Sequence, residues 1–146
     1  MAQKTTYEDV YSRFLQKIED TDLSRLDEEA YSESMNLWLH SAIAMMELDG
    51  VKLNNDYTQL NDNSESFMHK LDNIEIEVIS LFMVCAWYDA KINSIEHVLL
   101  FVGANGEKWT DQINHMKGLQ SARNDFYIRA NHAVRNYNYK NNTYFE

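Results

Sequence analysis

The absence of proline constrains this chain more than any other single feature of its sequence. Proline occurs nowhere in the 146 residues, and glycine occurs only four times. Proline removes a backbone donor and glycine loosens the backbone, so these two residues usually mark the ends of helices and the turns between them. A chain with so few helix breakers is expected to form helices joined by short connections.

The first two helices are predicted from apolar residues that recur at steps of three and four. Thr5 and Glu8 have the spacing of a capping box, which predicts a helix of about four turns extending to Ile18. The second helix is expected to start near Asp27, because the acidic residues that follow suit the positive end of the helix dipole. Gly50 is a typical stop signal and is expected to end this helix.

Residues 50–72 do not keep a helical period. They contain turn-forming clusters of asparagine, aspartate and serine at residues 54–56 and 61–64. We expect a long loop here, with a short hairpin or one helical turn around Phe67. A loop of this length in a small domain is usually functional or mobile.

Further helices are predicted in the second half of the chain. The third begins at Asn73, runs to about Ala90 and is apolar on nearly all sides, so we expect it to be the buried central helix. Ser94 is expected to cap a short fourth helix ending at Val102, and a long last helix is expected to end near Tyr137. The prediction is therefore an all-α, compact bundle of about four to five helices with a loop at 50–72 and an extended C-terminal tail.

Aromatic residues mark that tail. Tyr139, Tyr144 and Phe145 lie among asparagines beyond the predicted end of the last helix, where helical periodicity cannot bury them. Tyrosine offers a large contact area at a small cost in rotamer entropy, which suits interfaces. A frayed terminus is the alternative explanation. We predict a helical domain at residues 1–137 and a docking tail at 138–146, with Tyr137, Tyr139, Tyr144 and Phe145 as the docking residues.

Charge is distributed unevenly along the chain. The formal net charge is −10, which argues against a broad basic surface for nucleic acid. Residues 1–73 carry a net charge of −9, whereas residues 112–140 carry +4. This contrast indicates either ion pairing within one molecule or complementary faces on neighbouring copies. The candidates for an inter-subunit basic face are Lys117, Arg123, Arg129 and Arg135.

No motif for catalysis or for binding a metal or cofactor occurs in the sequence. No two histidines have the four-residue spacing of a helical metal site, and the glycine-rich phosphate and nucleophile motifs are missing. Counted from Asp62, the positions where a calcium-binding EF-hand requires glycine and glutamate hold Phe67 and Asn73. The single cysteine, Cys85, lies in an apolar run and is expected to be a small buried residue. We expect no enzymatic activity, no metal and no cofactor.

Six segments carry a resemblance to a known family. In order they read TYEDVYSRFLQKI at 6–18, WLHSAI at 38–43, LDNIEIEVI at 71–79, KINS at 91–94, FVG at 101–103 and NYNYKNN at 136–142. This order resembles the small helical head–tail connector, or adaptor, proteins of tailed bacteriophages that infect Gram-positive hosts. The resemblance covers most of the chain, and the loop at 50–72 fits it least well.

The resemblance implies a structural role. Such connectors are helical bundles without enzymatic activity that form a ring, usually of twelve copies, beneath the portal protein of the phage neck. The ring continues the channel through which DNA passes without specific binding, and it gives a stopper or tail-completion protein its docking surface. A C-terminal segment often reaches the portal, and residues 137–146 match that segment. We therefore expect a virion protein of the neck, made in the host cytoplasm.

Two other functions remain open from the sequence. The chain could be a soluble helical binding module that regulates a host or phage protein through loop 50–72. It could also be an enzyme whose site is assembled from distant residues, although nothing in the sequence singles out such a set. The apolar run at 74–88 is too short to span a bilayer and contains Glu75 and Glu77, so we expect no membrane association.

Overall fold

The computed structural model of the chain describes residues 3–20, 23–102 and 106–141. It is an all-α bundle of four helices, which confirms the predicted fold class. A single 3-10 turn, Leu23–Arg25, and one two-stranded hairpin complete the described part of the chain. The elements are α1 (Tyr7–Leu15), α2 (Glu28–Leu48), β1 (Leu60–Asn61), β2 (Ser66–Phe67), α3 (Asn73–Val102) and α4 (Glu107–Asn141).

A capping box begins α1, one residue later than predicted. The Thr6 hydroxyl accepts a hydrogen bond from the Asp9 backbone N–H, and the Asp9 carboxylate accepts one from the Thr6 N–H. The prediction of Thr5 and Glu8 was therefore wrong. Thr5 has another task, because its buried hydroxyl accepts a hydrogen bond of 2.7 Å from the Leu71 N–H. This bond ties the start of the chain to the end of loop 50–72.

The ends of α2 follow the local signals in the sequence. The Asp27 side chain accepts a hydrogen bond of 2.8 Å from the Ala30 N–H, and the acidic Glu28 and Glu29 occupy the first turn. Gly50 follows the helix with a φ of 72°, a conformation that costs glycine little and other residues more. The predicted start and end of this helix are confirmed.

Helix α3 is the centre of the bundle, as predicted. Every residue from Val78 to Trp87 is buried, and α3 packs against each of the other three helices. It does not end near Ala90, however, and the separate helix predicted after Ser94 is wrong. No glycine or proline occurs between Asn73 and Val102, and a serine within a helix is tolerated where packing favours continuation.

The apolar composition of α3 has a simple structural cause. By length and composition the stretch Asn73–His97, with a mean hydropathy of 1.2, could cross a membrane. More than half of its most apolar window is buried inside the bundle. A helix enclosed on several sides needs apolar residues around most of its circumference. Burial within the bundle therefore accounts for this composition.

Helices α3 and α4 form a long hairpin that extends past the shared core. Among the described residues, the main core cluster includes no residue of α3 beyond Tyr88 and none of α4 before Phe126. Ile92 and Ile95 are buried outside this cluster. Helix α4 also continues to Asn141, past the end predicted near Tyr137.

The loop at 50–72 is built into the fold. Its β1 and β2 strands form a short antiparallel hairpin, which confirms the hairpin that we considered around Phe67. Phe67 is fully buried, and its backbone N–H donates to the Thr5 carbonyl oxygen at 2.8 Å. The carbonyl oxygen of Glu65, which has a φ of 50°, accepts a hydrogen bond from the Tyr7 N–H. The loop therefore joins the start of α1 along its backbone.

Candidate interaction surfaces

A buried carboxylate joins three parts of the bundle. Glu75 has no exposed surface, and its two oxygens accept hydrogen bonds from the backbone and side chain of Asn55 at 2.9 and 2.7 Å. They also accept from the Asp72 N–H at 2.9 Å and the Tyr137 hydroxyl at 3.1 Å. The Asn54 N–H in turn donates to the Tyr137 oxygen at 2.8 Å. Glu75 therefore connects loop 50–72, the start of α3 and the end of α4.

This network removes Tyr137 from the predicted docking residues. Its side chain is only 2% exposed, so a partner cannot reach it, and the prediction was wrong for this residue. Burial raises the pKa of Tyr137 to about 12, so its hydroxyl stays protonated and donates a hydrogen bond to Glu75. Its spacing from Ala130 and Val134 fits the buried stripe of α4, so the sequence did contain the signal for its place in the core.

The other predicted docking residues differ in position. Tyr139 lies in the last turn of α4 and is 71% exposed. The predicted boundary between residues 137 and 138 falls inside α4, so residues 138–141 continue the helix instead of forming a separate tail. Tyr144 and Phe145 lie outside the described residues. Within the described part of the chain, Tyr139 is therefore the accessible aromatic residue of this segment.

Arg123, one of the predicted inter-subunit residues, is used within the molecule. Its Nε donates to an Asp89 carboxylate oxygen at 3.1 Å, and its guanidinium lies 5.0 Å from the centre of the Tyr127 ring. The Tyr127 hydroxyl donates to Asp49 at 2.6 Å. These contacts join α4 to α3 and to the end of α2. Arg123 therefore has partners within its own molecule, and its contact with a neighbouring copy stays a prediction.

The remaining predicted basic residues, Lys117, Arg129 and Arg135, are exposed. Lys117 and Arg135 lie on the side of α4 that faces away from the bundle, and Arg129 borders that side with its guanidinium 4.8 Å from the centre of the Phe126 ring. We call this surface the α4 outer face and define it by Lys117, Ile128, Arg129, Arg135 and Tyr139. It combines three positive charges with two exposed apolar side chains, and by helical position the exposed Asp125, three residues before Ile128, lies on the same side, so that the face keeps a net positive charge.

The outward side of α2 has the opposite charge. Glu33, Leu37, Ala44, Glu47 and Leu48 are exposed, and we call the surface that they define the α2 outer face. Helix α2 contains no lysine or arginine. The bundle thus presents an acidic helical face and a basic one, each with exposed apolar side chains.

Asp62 gathers polar side chains from α1 and α2. Its carboxylate accepts a hydrogen bond of 2.6 Å from the Tyr7 hydroxyl, lies 2.9 Å from His40 Nε2 and accepts a weaker bond from Asn36. The hydrogen bonds from Tyr7 and His40 lower the pKa of Asp62 below its usual value of 3.8. A lowered folded-state pKa stabilises the protein above that usual value, and the contribution is lost as the pH falls through the folded-state pKa. These contacts therefore hold the hairpin against α1 and α2.

The described residues contain no group of three or more histidine, cysteine or acidic side chains that could hold a metal ion. Cys85 is fully buried, and its sulfur lies 4.0 Å from the Arg123 carbonyl oxygen. Burial raises the pKa of this thiol to about 11. The thiolate is the nucleophilic form of cysteine, so this environment opposes a catalytic role.

We expect Cys85 to resist Ellman's reagent in the folded protein at pH 8. The raised pKa lowers the thiolate fraction by about a hundredfold relative to an ordinary cysteine, and burial blocks the approach of the reagent. The labelling rate should rise by at least about a hundredfold in urea. Equal rates in the folded and unfolded protein would show that the thiol is accessible and reactive.

Comparison with known proteins returned no relative: no family model, no curated protein and no solved structure matches this chain. A functional proposal therefore depends on the order of sequence segments and on the surfaces described above.

Proposed function

We propose that this chain is a structural component of the neck of a tailed bacteriophage, where copies form a ring that joins the portal to the tail. The observation that carries the proposal is the opposite charge of the two outer faces. The order of the six sequence segments and the all-α bundle also support it. The role requires no catalytic group.

A ring requires two different faces on each copy. In a closed ring of identical copies, one surface of each copy meets a different surface of the next. The acidic α2 outer face and the basic α4 outer face provide such a pair, and each would repel its own kind. Opposite charges on the two faces also guide copies into one orientation during assembly.

The acidic composition suits passage of DNA through the ring. With a net charge of −10, the chain as a whole repels phosphates. In this arrangement the exposed basic side chains of the α4 outer face pair with acidic side chains of a neighbouring copy, so they do not bind the phosphates of the DNA. DNA then passes through the channel as cargo without specific binding.

The C-terminal segment supplies the contact with the portal in this proposal, and the opposite side of the ring receives a stopper or tail-completion protein. Tyr139 begins this segment on α4, and Tyr144 and Phe145 complete it. Regulation of another protein through loop 50–72 is the competing function. The contacts of Thr5, Tyr7 and Glu75 with this loop serve the fold itself, so no observation favours recognition by the loop.

Electron microscopy and complex formation test the proposal. Particles of the phage that encodes the chain should contain it at the neck, and the purified chain should form a large complex with the portal protein encoded nearby. Deleting residues 142–146 should weaken that complex, whereas the matched surface change Leu26→Ser should not. Absence of the chain from the neck would contradict the proposal. A small protein that ignores the portal but loses a partner when loop 50–72 is altered would support the competing function.

A further inference from the structure

The apolar residues of the α2 outer face have a regular arrangement. Leu37 is 63% exposed and Leu48 is 87% exposed, and Ala44 lies between them on the same side of the helix. The two leucines are eleven positions apart, which is three helical turns and about 16 Å along the axis. Single exposed leucines are common on protein surfaces. Two large ones aligned on the side opposite the core form a stripe that a facing helix can cover.

The α4 outer face repeats this arrangement. Ile128 is 63% exposed and Tyr139 is 71% exposed, and they are also eleven positions apart on the outward side of their helix. Their spacing along the axis therefore equals that of Leu37 and Leu48. When the two helices lie side by side, both apolar pairs can meet at once.

The charges beside the two stripes are complementary. Glu33 and Glu47 accompany the leucines on α2, a helix without lysine or arginine. Arg129 and Arg135 accompany Ile128 and Tyr139 on α4, and both are exposed. Pairing two α2 outer faces would bring carboxylates together, and pairing two α4 outer faces would bring guanidinium groups together. The mixed pairing juxtaposes the carboxylates of α2 with the guanidinium groups of α4, and Asp125 is the exposed acidic residue of α4 beside Ile128.

We infer that the α2 outer face of one copy binds the α4 outer face of a second copy. This inference rests on the ring assembly of the proposed function and names the residues that join its subunits. The contact is heterologous, so a pair of copies keeps one unused face of each kind and can add further copies until the assembly closes. Apolar contact supplies affinity, and the flanking charges fix which face meets which.

Charge reversal on each face tests the pairing directly. One variant carries E33K and E47K, and the other carries R129E and R135E. Each variant alone should associate at least about tenfold more weakly than the natural chain, because its two faces then have like charge. An equimolar mixture should recover association, because the lysines of the first variant meet the glutamates of the second while the unchanged faces still match. Sedimentation velocity at low salt measures the natural chain, the two variants and their mixture.

Matched controls separate the pairing from general effects of charge. The double variant E96K/E107K makes the same charge change as E33K/E47K at exposed positions away from both faces and should associate like the natural chain. Circular dichroism should show each variant to be folded. Raising the salt concentration from about 0.05 M to about 0.5 M should weaken association of the natural chain, because exposed charges are then screened.

Three outcomes would overturn the inference. They are a natural chain that stays monomeric at high concentration, a single charge-reversal variant that associates normally, and a mixture of folded variants that does not recover association. Binding to the portal is measured separately. A mixture that recovers while the chain ignores the portal leaves the pairing intact and contradicts the neck role. If the chain binds the portal but the mixed variants do not recover association, the neck role is retained and the pairing is contradicted.

Discussion

Replacing Glu75 with alanine should lower the free energy of unfolding by about 3–5 kcal/mol, the largest effect that we expect from a single polar substitution here. The carboxylate accepts four hydrogen bonds inside the bundle, from Asn55, Asp72 and Tyr137. Removing it leaves the buried Tyr137 hydroxyl and three part-buried donors without their acceptor, and an unsatisfied buried group costs about 1–3 kcal/mol. Such a loss is a large part of the about 5–15 kcal/mol that stabilises a typical domain.

Urea unfolding followed by circular dichroism measures this effect. Glu96→Ala, an exposed change on the same helix, is the matched control and should alter stability by less than about 0.5 kcal/mol. Glu75→Gln keeps the size of the side chain but turns an acceptor into a donor, so its loss should lie between those of the other two variants. A loss of less than about 1 kcal/mol for Glu75→Ala would show that water replaces the carboxylate and that the network is not buried.

Hydrogen exchange locates the same defect. The backbone amides of Asn54 and Asn55 donate to Tyr137 and Glu75, so both should exchange faster in Glu75→Ala than in the Glu96→Ala control. Amides in the middle of α2, which do not contact the network, should lose protection only through global destabilisation. Unchanged exchange at Asn54 and Asn55 would show that Glu75 does not stabilise loop 50–72.

Two C-terminal truncations that differ by one residue should differ greatly in stability. Deleting residues 138–146 retains Tyr137 and should leave a folded helical domain that binds the portal more weakly. Deleting residues 137–146 also removes a side chain that is buried and bonded to Glu75. The second deletion should cost about 3–4 kcal/mol more than the first, within the range for loss of a large buried side chain.

Tyr137→Ala in the full chain is the companion variant, because it removes the same side chain and keeps the rest of α4. Its loss of stability should be close to the difference between the two truncations, as measured by urea unfolding. Should deletion of residues 138–146 alone unfold the protein, the aromatic residues beyond Tyr137 would belong to the core. The docking role of the segment would then be wrong.

Local signals in the sequence predicted α2 and the centre of α3 correctly. The Asp27 cap and Gly50 act on neighbouring backbone groups, so their effects can be read without knowing the fold. The run from Val78 to Trp87 is apolar on nearly all sides, and a central position in the bundle buries it. The break predicted at Ser94 failed because serine favours a helix cap only weakly when packing extends the helix through it.

The sequence by itself determined the all-α class. Helix formation depends on residues that are close in sequence, and both the absence of proline and the helical spacing of apolar residues are visible at that range. It also revealed the split between acidic and basic segments. Only the tertiary structure decided which polar groups serve the fold and which face outward. Tyr137 lies 62 positions from Glu75, and Arg123 lies 34 positions from Asp89. No local pattern links such residues, because their contacts exist only after the helices have packed and buried one side of each.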